Sequence, residues 1–132
     1  MGHEGINQVG ADAKKIKGIY VLFIFLKRDI LIKVGALGKI KFRQGIYAYV
    51  GSAQNGLKKR VTRHLRKKKR KFWHIDYLLE QKDSSIEEIF YQQAPKKKEC
   101  RIAEILSKLG QSIRGFGCSD CSCPSHLFKI EK

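Results

Sequence analysis

Two tyrosines, an arginine and a histidine are spaced so that they could act together on one phosphate group. Tyr20 ends the tripeptide G-I-Y in an apolar segment, and Tyr49 begins Y-V-G-S at the end of a later one. Arg60 and His64 are four residues apart, a spacing that puts two side chains on the same face of a helix. The set would bring phenol hydroxyls close to a guanidinium, a group that binds phosphate oxygens well.

Strand patterns surround the two tyrosines. The β-branched and aromatic segment 18–26 (GIYVLFIFL) predicts a buried strand. Segments 30–34 and 39–43 flank a glycine-containing turn and predict a hairpin, and segment 46–50 predicts the next strand. Four short strands so close together favour an antiparallel meander.

A helical pattern then carries the arginine and the histidine. Leu57, Val61 and Leu65 recur every four residues and predict a helix with one narrow apolar stripe and a basic surface. The later elements alternate in type: a short helix or helical turn at 72–81, a strand at 86–93, a helix at roughly 97–109 and a last strand in HLFKIE. This order predicts a single α+β domain at 16–132, preceded by a loose arm at 1–15.

The chain carries a large and clustered positive charge. It has 28 Lys and Arg against 12 Asp and Glu in 132 residues, a net charge of +16, and ten of the fourteen residues at 58–71 are Lys or Arg. Clustering favours a polyanionic partner, of which nucleic acid is the commonest, over solubility alone. The residues predicted to bind it are Lys58, Lys59, Arg63, Arg66, Lys67, Lys68, Lys69, Arg70 and Lys71.

Composition excludes several classes of protein. A hydrophobic content of 42% indicates a packed core and excludes a disordered polycation. The longest apolar run, Ile19–Leu26, has eight residues, far below the roughly 18 that a bilayer span needs. The first residues lack the hydrophobic stretch of a signal peptide. We therefore expect an intracellular, cytoplasmic protein with no membrane partner.

The ordered motifs resemble those of the GIY-YIG nuclease family. G-I-Y, Y-V-G-S, R-x-x-x-H and a later helical carboxylate follow one another over about 18–109. The resemblance implies a small α+β fold, in which helices pack on an antiparallel sheet with a three-stranded core and, here, an extra hairpin. It also implies a metal-dependent endonuclease that hydrolyses phosphodiester bonds in DNA, in repair or recombination, with a repair or recombination protein as a possible partner.

The resemblance assigns a role to each motif residue. Tyr20 would deprotonate or position the attacking water, and Tyr49 would support it from the adjacent strand. Arg60 would hold the scissile phosphate and stabilise its developing charge. His64 would assist proton transfer or bind phosphate. A second G-I-Y ends at Tyr47, which shares a strand face with Tyr49 and could line the same site.

A carboxylate would hold Mg²⁺ or Mn²⁺ at this site. In the resembled family the metal-binding glutamate often follows an earlier glutamate by five positions, which selects Glu104. Glu99, at the start of the same predicted helix, is the alternative ligand, or else an acidic residue well placed for the helix dipole.

The C-terminal cysteines leave three states open. Cys118, Cys121, Cys123 and His126 offer four soft ligands within nine residues, and Cys100 could add a fifth. They could bind Zn²⁺, form a disulfide or stay reduced, and we expect reduced structural thiols because zinc sites usually join two separated ligand pairs. The surrounding D-C-x-C-x-S-H-L-F box resembles a small, largely uncharacterised branch of GIY-YIG-like proteins.

Two non-catalytic interpretations stand beside the nuclease. The chain could be a DNA- or RNA-binding module that retains the fold, with DNA expected over RNA, or an accessory protein of a repair assembly. Phe72 and Trp73 directly follow the basic run and could stack on unpaired bases, although we expect both to be buried.

Overall fold

Seven strands and three helices make up the part of the chain that the structure describes. The structure is a computed structural model, and it describes residues 17–54, 56–117, 123 and 125–130. In chain order the elements are β1 (Gly18–Leu26), β2 (Ile30–Lys33), a 3₁₀ helix (Gly35–Leu37), β3 (Lys39–Phe42), β4 (Gly45–Ala53), α1 (Leu57–Leu65), α2 (His74–Leu79), β5 (Ser84–Gln93), α3 (Lys98–Ser107), β6 (Gly110–Ser112) and β7 (Leu127–Ile130). Within these residues no helix is long and apolar enough to cross a membrane.

The main sheet is antiparallel and has five strands in the order β5-β1-β4-β7-β6. The predicted α+β class is confirmed. The expected three-stranded core corresponds to β5-β1-β4, and β7 and β6 extend it. The three residues of β6 (GQS) carry no apolar pattern that could have predicted a strand.

The predicted four-strand meander is wrong. β2 and β3 form a separate two-stranded sheet, and β1 pairs directly with β4 over nine residues, from Gly18 opposite Ala53 to Leu26 opposite Gly45. Two long apolar strands of equal length make more cross-strand contacts with each other than either could make with a four-residue strand. The β2–β3 hairpin is therefore inserted in the sequence between β1 and β4 but does not lie between them in the sheet.

Both faces of β1 are covered, which explains its continuous apolar sequence. Alternate residues point to opposite faces of a sheet. On one face, the core contains β1 side chains together with apolar residues of the hairpin, α1 and α2; its members include Tyr20, Leu22, Ile24, Phe42, Leu57, Ile75 and Leu78. On the other face, Ile19 packs with Ala103 and Leu106 of α3.

The helix α1 is short, and it lies on the core through only two of its three predicted apolar residues. Leu57 is buried and Val61 packs against the same cluster, but Leu65 is 56% exposed. The helix ends at Leu65 because Arg66 is extended, and the Lys69 ammonium donates to the carbonyls of His64 and Arg66. A side chain thus satisfies carbonyls that the helix end leaves without partners.

The core of the main sheet can be tested with two leucine substitutions. Leu22→Ala should lower the free energy of unfolding by about 2–5 kcal/mol, because Leu22 is fully buried and its truncation leaves a cavity. The matched control Leu31→Ala, at a side chain that is 62% exposed, should change it by no more than about 0.5 kcal/mol. Urea unfolding followed by circular dichroism measures both, and equal losses would contradict the described core.

Candidate active site

A pocket of about 330 Å³ opens where β1, β4, α1 and α3 come together. Tyr20, Tyr49 and Arg60 line it, and Glu99 of α3 lines it as well. Three of the four residues that the motifs single out therefore meet at one cavity. The fourth, His64, does not line the pocket but lies behind Tyr20.

The glycine of Y-V-G-S makes room for the first tyrosine. Tyr20 on β1 stands opposite Gly51 on β4, and a Cβ at position 51 would overlap the Tyr20 ring and hydroxyl. The ring centroids of Tyr20 and Tyr49 lie 6.5 Å apart, so both phenols face the same cavity from neighbouring strands. Tyr47 belongs to the core instead: its hydroxyl donates to the carbonyl of Arg43, and it does not line the pocket.

His64 is a buried partner of Tyr20. Its Nε2 lies 2.6 Å from the Tyr20 hydroxyl, and the residue is only 2% exposed. Burial lowers the pKa of His64 to about 3, so the imidazole is neutral near pH 7. The enclosed side chain does not line the pocket, so its position favours the proton-transfer alternative over a direct phosphate contact. Its Nδ1 has no hydrogen-bond partner among the described residues.

Both pocket tyrosines are held as neutral phenols. Burial raises the pKa of Tyr20 and of Tyr49 above the ordinary value of a phenol, and the charge of Arg60 opposes this rise at each residue. A neutral hydroxyl can donate one hydrogen bond and accept others. Tyr20 can therefore pass its proton to His64 while accepting one from the pocket.

The guanidinium of Arg60 is fixed in place beside these phenols. One terminal nitrogen donates to the Ser52 carbonyl at 2.8 Å, and the Arg60 Cζ lies 4.3 Å from the centroid of the Trp73 ring. Because a guanidinium carries five N–H donors, the bond to Ser52 leaves others for a ligand. A planar cation that is oriented in advance is well suited to hold a phosphate through two oxygens.

Asp76 organises the loop that forms the rim of the pocket. It is fully buried. Its carboxylate accepts a hydrogen bond from each terminal nitrogen of Arg63 at 2.9 Å, and others from the backbone N–H groups of Phe72 and Trp73 at 2.8 and 2.9 Å. Burial would raise the pKa of Asp76, but these hydrogen bonds together lower it below its usual value. The buried carboxylate stays charged and holds two aromatic residues at the pocket.

Phe72 does not follow the sequence expectation of burial, whereas Trp73 follows it in part, because it packs against the core cluster. Phe72 is 76% exposed at the rim, and Trp73 is half-buried under the guanidinium groups of Arg60 and Arg63. The next residue, His74, accepts a hydrogen bond from the backbone N–H of Gly117 at 2.8 Å and also lines the pocket. His74 was not predicted in the site, because the contact that places it there spans 43 residues.

The preferred metal ligand, Glu104, does not lie with the other site residues. It lines an exposed groove with Arg101 and Lys108, whereas Glu99 is the one carboxylate of the described residues that lines the pocket. Five helical positions correspond to a rotation of about 140°, so the two side chains point in different directions. Glu99 Oε2 also lies 3.5 Å from Nδ1 of His126, another pocket residue. Of the two candidate glutamates, only Glu99 therefore lines the pocket with the tyrosines and Arg60.

The expectation of reduced thiols is wrong for two of the cysteines. Cys100 of α3 and Cys123 form a disulfide, with their Cα atoms 6.0 Å apart. The ligand atoms of Cys100, Cys123 and His126 lie within 4.8 Å of one another, a group that could hold a metal ion. Cys118 and Cys121 of the predicted set lie outside the described residues, as does the predicted arm at 1–15.

The predicted nucleic-acid contacts separate into two groups. Four have charged ends that bind this chain: Arg63 pairs with Asp76, Lys67 donates to three carbonyls, Lys69 caps α1 and Lys71 pairs with Glu80. The other five are exposed, and their side chains make no hydrogen bond or ion pair with any described residue: Lys58, Lys59, Arg66, Lys68 and Arg70. Only the second group has charges fully available to a polyanion.

Comparison with known proteins gives a family and no described function. The model of a family described as "Domain of unknown function DUF123" matches residues 19–132, which is most of the chain and includes every pocket residue. No curated protein and no solved structure matches the chain.

Burial of neutral His64 should make stability depend on pH. In the unfolded chain the pKa of His64 returns to about 6.5, so between pH 6.5 and 3 the unfolded state binds more protons and stability falls as the pH falls. We expect wild type to lose about 1.4 kcal/mol per pH unit relative to His64→Gln between pH 6 and 4. Urea unfolding of both proteins across that range measures the difference, and parallel curves would show that His64 is not buried neutral.

Proposed function

We propose that this chain, which belongs to the DUF123 family, hydrolyses phosphodiester bonds in nucleic acid with the help of a divalent cation. The observation that carries the proposal is the meeting of Tyr20, Arg60 and Glu99 at one pocket. The pocket lies beside the exposed cations in the first turn of α1 and in the segment that follows it. A relationship to the GIY-YIG nucleases is part of the proposal and rests on the ordered motifs.

Arg60 would bind the scissile phosphate. Its hydrogen bond to the Ser52 carbonyl and its stacking on Trp73 hold the guanidinium before a substrate arrives, so little reorganisation is needed when charge develops on the phosphate oxygens. Hydrogen bonds aimed at developing charge are worth more beside buried groups such as Tyr20 and Tyr49 than the same bonds in water. Loss of one such donor typically costs about 100- to 1,000-fold in rate.

Tyr20 and His64 would move the proton of the attacking water. The Tyr20 oxygen accepts a proton from water while its own proton passes to His64 Nε2, 2.6 Å away. Because both groups are neutral beforehand, the transfer leaves one positive charge on the imidazole. A bound phosphate places negative charge near this pair, which raises the low pKa of His64 and favours the transfer.

The chemistry of the pocket fits a hard divalent cation at Glu99. Mg²⁺ keeps several waters and needs only one or two protein carboxylates together with substrate phosphate oxygens. Glu99 supplies one carboxylate, and its side chain is only 12% exposed. When bound, Mg²⁺ or Mn²⁺ would polarise the phosphate and stabilise the leaving oxygen. Glu99 would orient its carboxylate to the pocket from the first turn of α3.

A second metal is proposed for the sulfur ligands. Two thiolates and one imidazole suit Zn²⁺, and the three ligand atoms already lie close together. An external dithiol must first reduce the Cys100–Cys123 disulfide, becoming a disulfide itself as the two cysteines gain two electrons and two protons. Metal analysis of protein purified without chelator should find zinc in reduced protein and none in the oxidised form. Zinc in neither form contradicts this assignment.

The polymer and its setting remain part of the proposal. We propose DNA over RNA, a cytoplasmic location, and a place in repair or recombination; all three rest on the motif resemblance. The exposed cations Lys58, Lys59, Arg66, Lys68 and Arg70 support either polymer, because phosphate contacts carry no base information. They also favour the second candidate, a nucleic-acid-binding module that does not cleave.

Two glutamates on one helix provide a matched test of catalysis. With Mg²⁺ or Mn²⁺, wild type should cleave branched, nicked or single-stranded DNA, and Glu99→Gln should reduce the rate by at least about 100-fold. Glu104→Gln, the same change on the same helix outside the pocket, should stay within about threefold of wild type. Gel analysis of labelled products under single-turnover conditions measures each rate.

The outcomes separate the candidate functions. Cleavage that survives both Glu99→Gln and Arg60→Ala would show that the pocket is not the active site. Strong binding that weakens steeply with salt, without cleavage of any substrate, would favour the binding module instead. Equal loss in Glu99→Gln and Glu104→Gln would point to helix damage, which thermal unfolding of both variants would reveal.

A further inference from the structure

We infer that the pocket receives a nucleotide whose base is unpaired and stacks on Phe72, so that the substrate is single-stranded at the cleaved position. The inference rests on the proposed function, in which Arg60 holds the phosphate. The inference specifies a single-stranded substrate, whereas a phosphate site alone would accept single and double strands.

Phe72 is a large aromatic side chain held in water at the rim of the pocket. It is 76% exposed, more than any other large hydrophobic residue of the described chain. Its backbone N–H donates to buried Asp76 at 2.8 Å, and its ring meets the Trp73 ring at a centroid distance of 5.3 Å and an angle of 72°. The backbone is therefore anchored while most of the ring surface stays open.

The ring of Trp73, next to Phe72, already stacks with two arginine side chains. Trp73 carries the guanidinium of Arg60 at 4.3 Å and that of Arg63 at 4.4 Å from its centroid. These cations occupy the surface that a base would otherwise cover, and Trp73 in turn fixes Arg60. Phe72 is thus the most exposed aromatic residue that lines the pocket, and any base can stack on it, since each base has an aromatic face.

Positively charged side chains can guide a nucleic-acid strand to the Phe72 ring. A second groove of about 230 Å³ contains Lys59 and Arg66 and shares Arg60 and Trp73 with the pocket. A backbone with one phosphate at Arg60 can place further phosphates against Lys59 and Arg66. The base next to Arg60 then lies beside Phe72.

A paired base cannot make this contact. In a duplex each base lies between its neighbours, and one must leave the stack before an aromatic side chain can cover its face. Extraction costs least where the nucleotide is already single-stranded. A cationic groove combined with an exposed aromatic ring is the arrangement by which proteins bind single strands without reading sequence.

The test measures binding without cleavage. In EDTA, a short labelled single-stranded DNA is titrated with protein and followed by fluorescence anisotropy; Trp73, the one tryptophan of the chain, gives a second signal. Phe72→Ala should weaken binding of the single strand about tenfold and leave the duplex of the same sequence within about twofold. A strand with abasic sites should bind wild type and Phe72→Ala equally.

Phe90→Ala is the matched control. Phe90 is 54% exposed and its ring packs on Phe23, whose side chain belongs with the α3 face of the sheet. This variant should bind the single strand as wild type does, and Phe72→Tyr should restore the affinity lost in Phe72→Ala. Unchanged thermal unfolding of Phe72→Ala, expected for so exposed a side chain, shows that the loss is not misfolding.

Failure of the inference differs from failure of the proposed function. Equal single-strand affinity of wild type and Phe72→Ala, or an equal loss for single strand and duplex, overturns the stacking site even if DNA is cleaved. A selective tenfold loss in a protein that cleaves nothing supports the stacking site and overturns the nuclease. Absence of single-strand binding by wild type overturns the inference as well.

Discussion

The register in which β1 pairs with β4 is the constraint on which the pocket depends. It sets Tyr20 opposite Gly51, the residue whose missing side chain leaves space for the phenol, and it turns Tyr20 and Tyr49 to the same face. A slip of one residue would send Tyr20 to the α3 side of the sheet. The nine-residue pairing of apolar strands resists such a slip, because each face buries its own set of side chains. The packing that stabilises the core therefore also positions the two tyrosines of the pocket.

A second constraint is electrostatic and centres on Asp76. One buried carboxylate binds Arg63 and the backbone N–H groups of Phe72 and Trp73. Trp73 in turn stacks on Arg60, so the phosphate-binding arginine and the exposed ring depend on the same anchor. A buried carboxylate without partners would be costly, whereas four hydrogen bonds keep it charged. The rim is therefore fixed before any ligand binds.

The basic residues of the chain have two roles, stabilising the fold and binding a ligand, and composition alone cannot distinguish them. Lys67 joins the segment after α1 to the carbonyls of Leu79, Gln81 and Ser84, and Lys69 completes the end of α1. These ammonium groups hold the fold together. Lys59 and Arg66 line a groove that runs into the pocket and keep their charges for a ligand. Basic residues that are neighbours in the sequence thus have different roles, because the local backbone geometry sets the direction of each side chain.

Local patterns in the sequence determined most of the elements, because strand alternation and four-residue helical spacing act between near neighbours. The order of the motifs predicted that Tyr20, Tyr49 and Arg60 meet, but the direct β1–β4 pairing that brings the two tyrosines together is a long-range contact. Tertiary structure alone decided that Glu99 and not Glu104 faces the pocket, since the rotation of α3 depends on Ala103 and Leu106 packing on the sheet. It likewise decided the Cys100–Cys123 bond, the burial of His64 and the exposure of Phe72. Each of these depends on contacts between residues far apart in the chain, which no local pattern encodes.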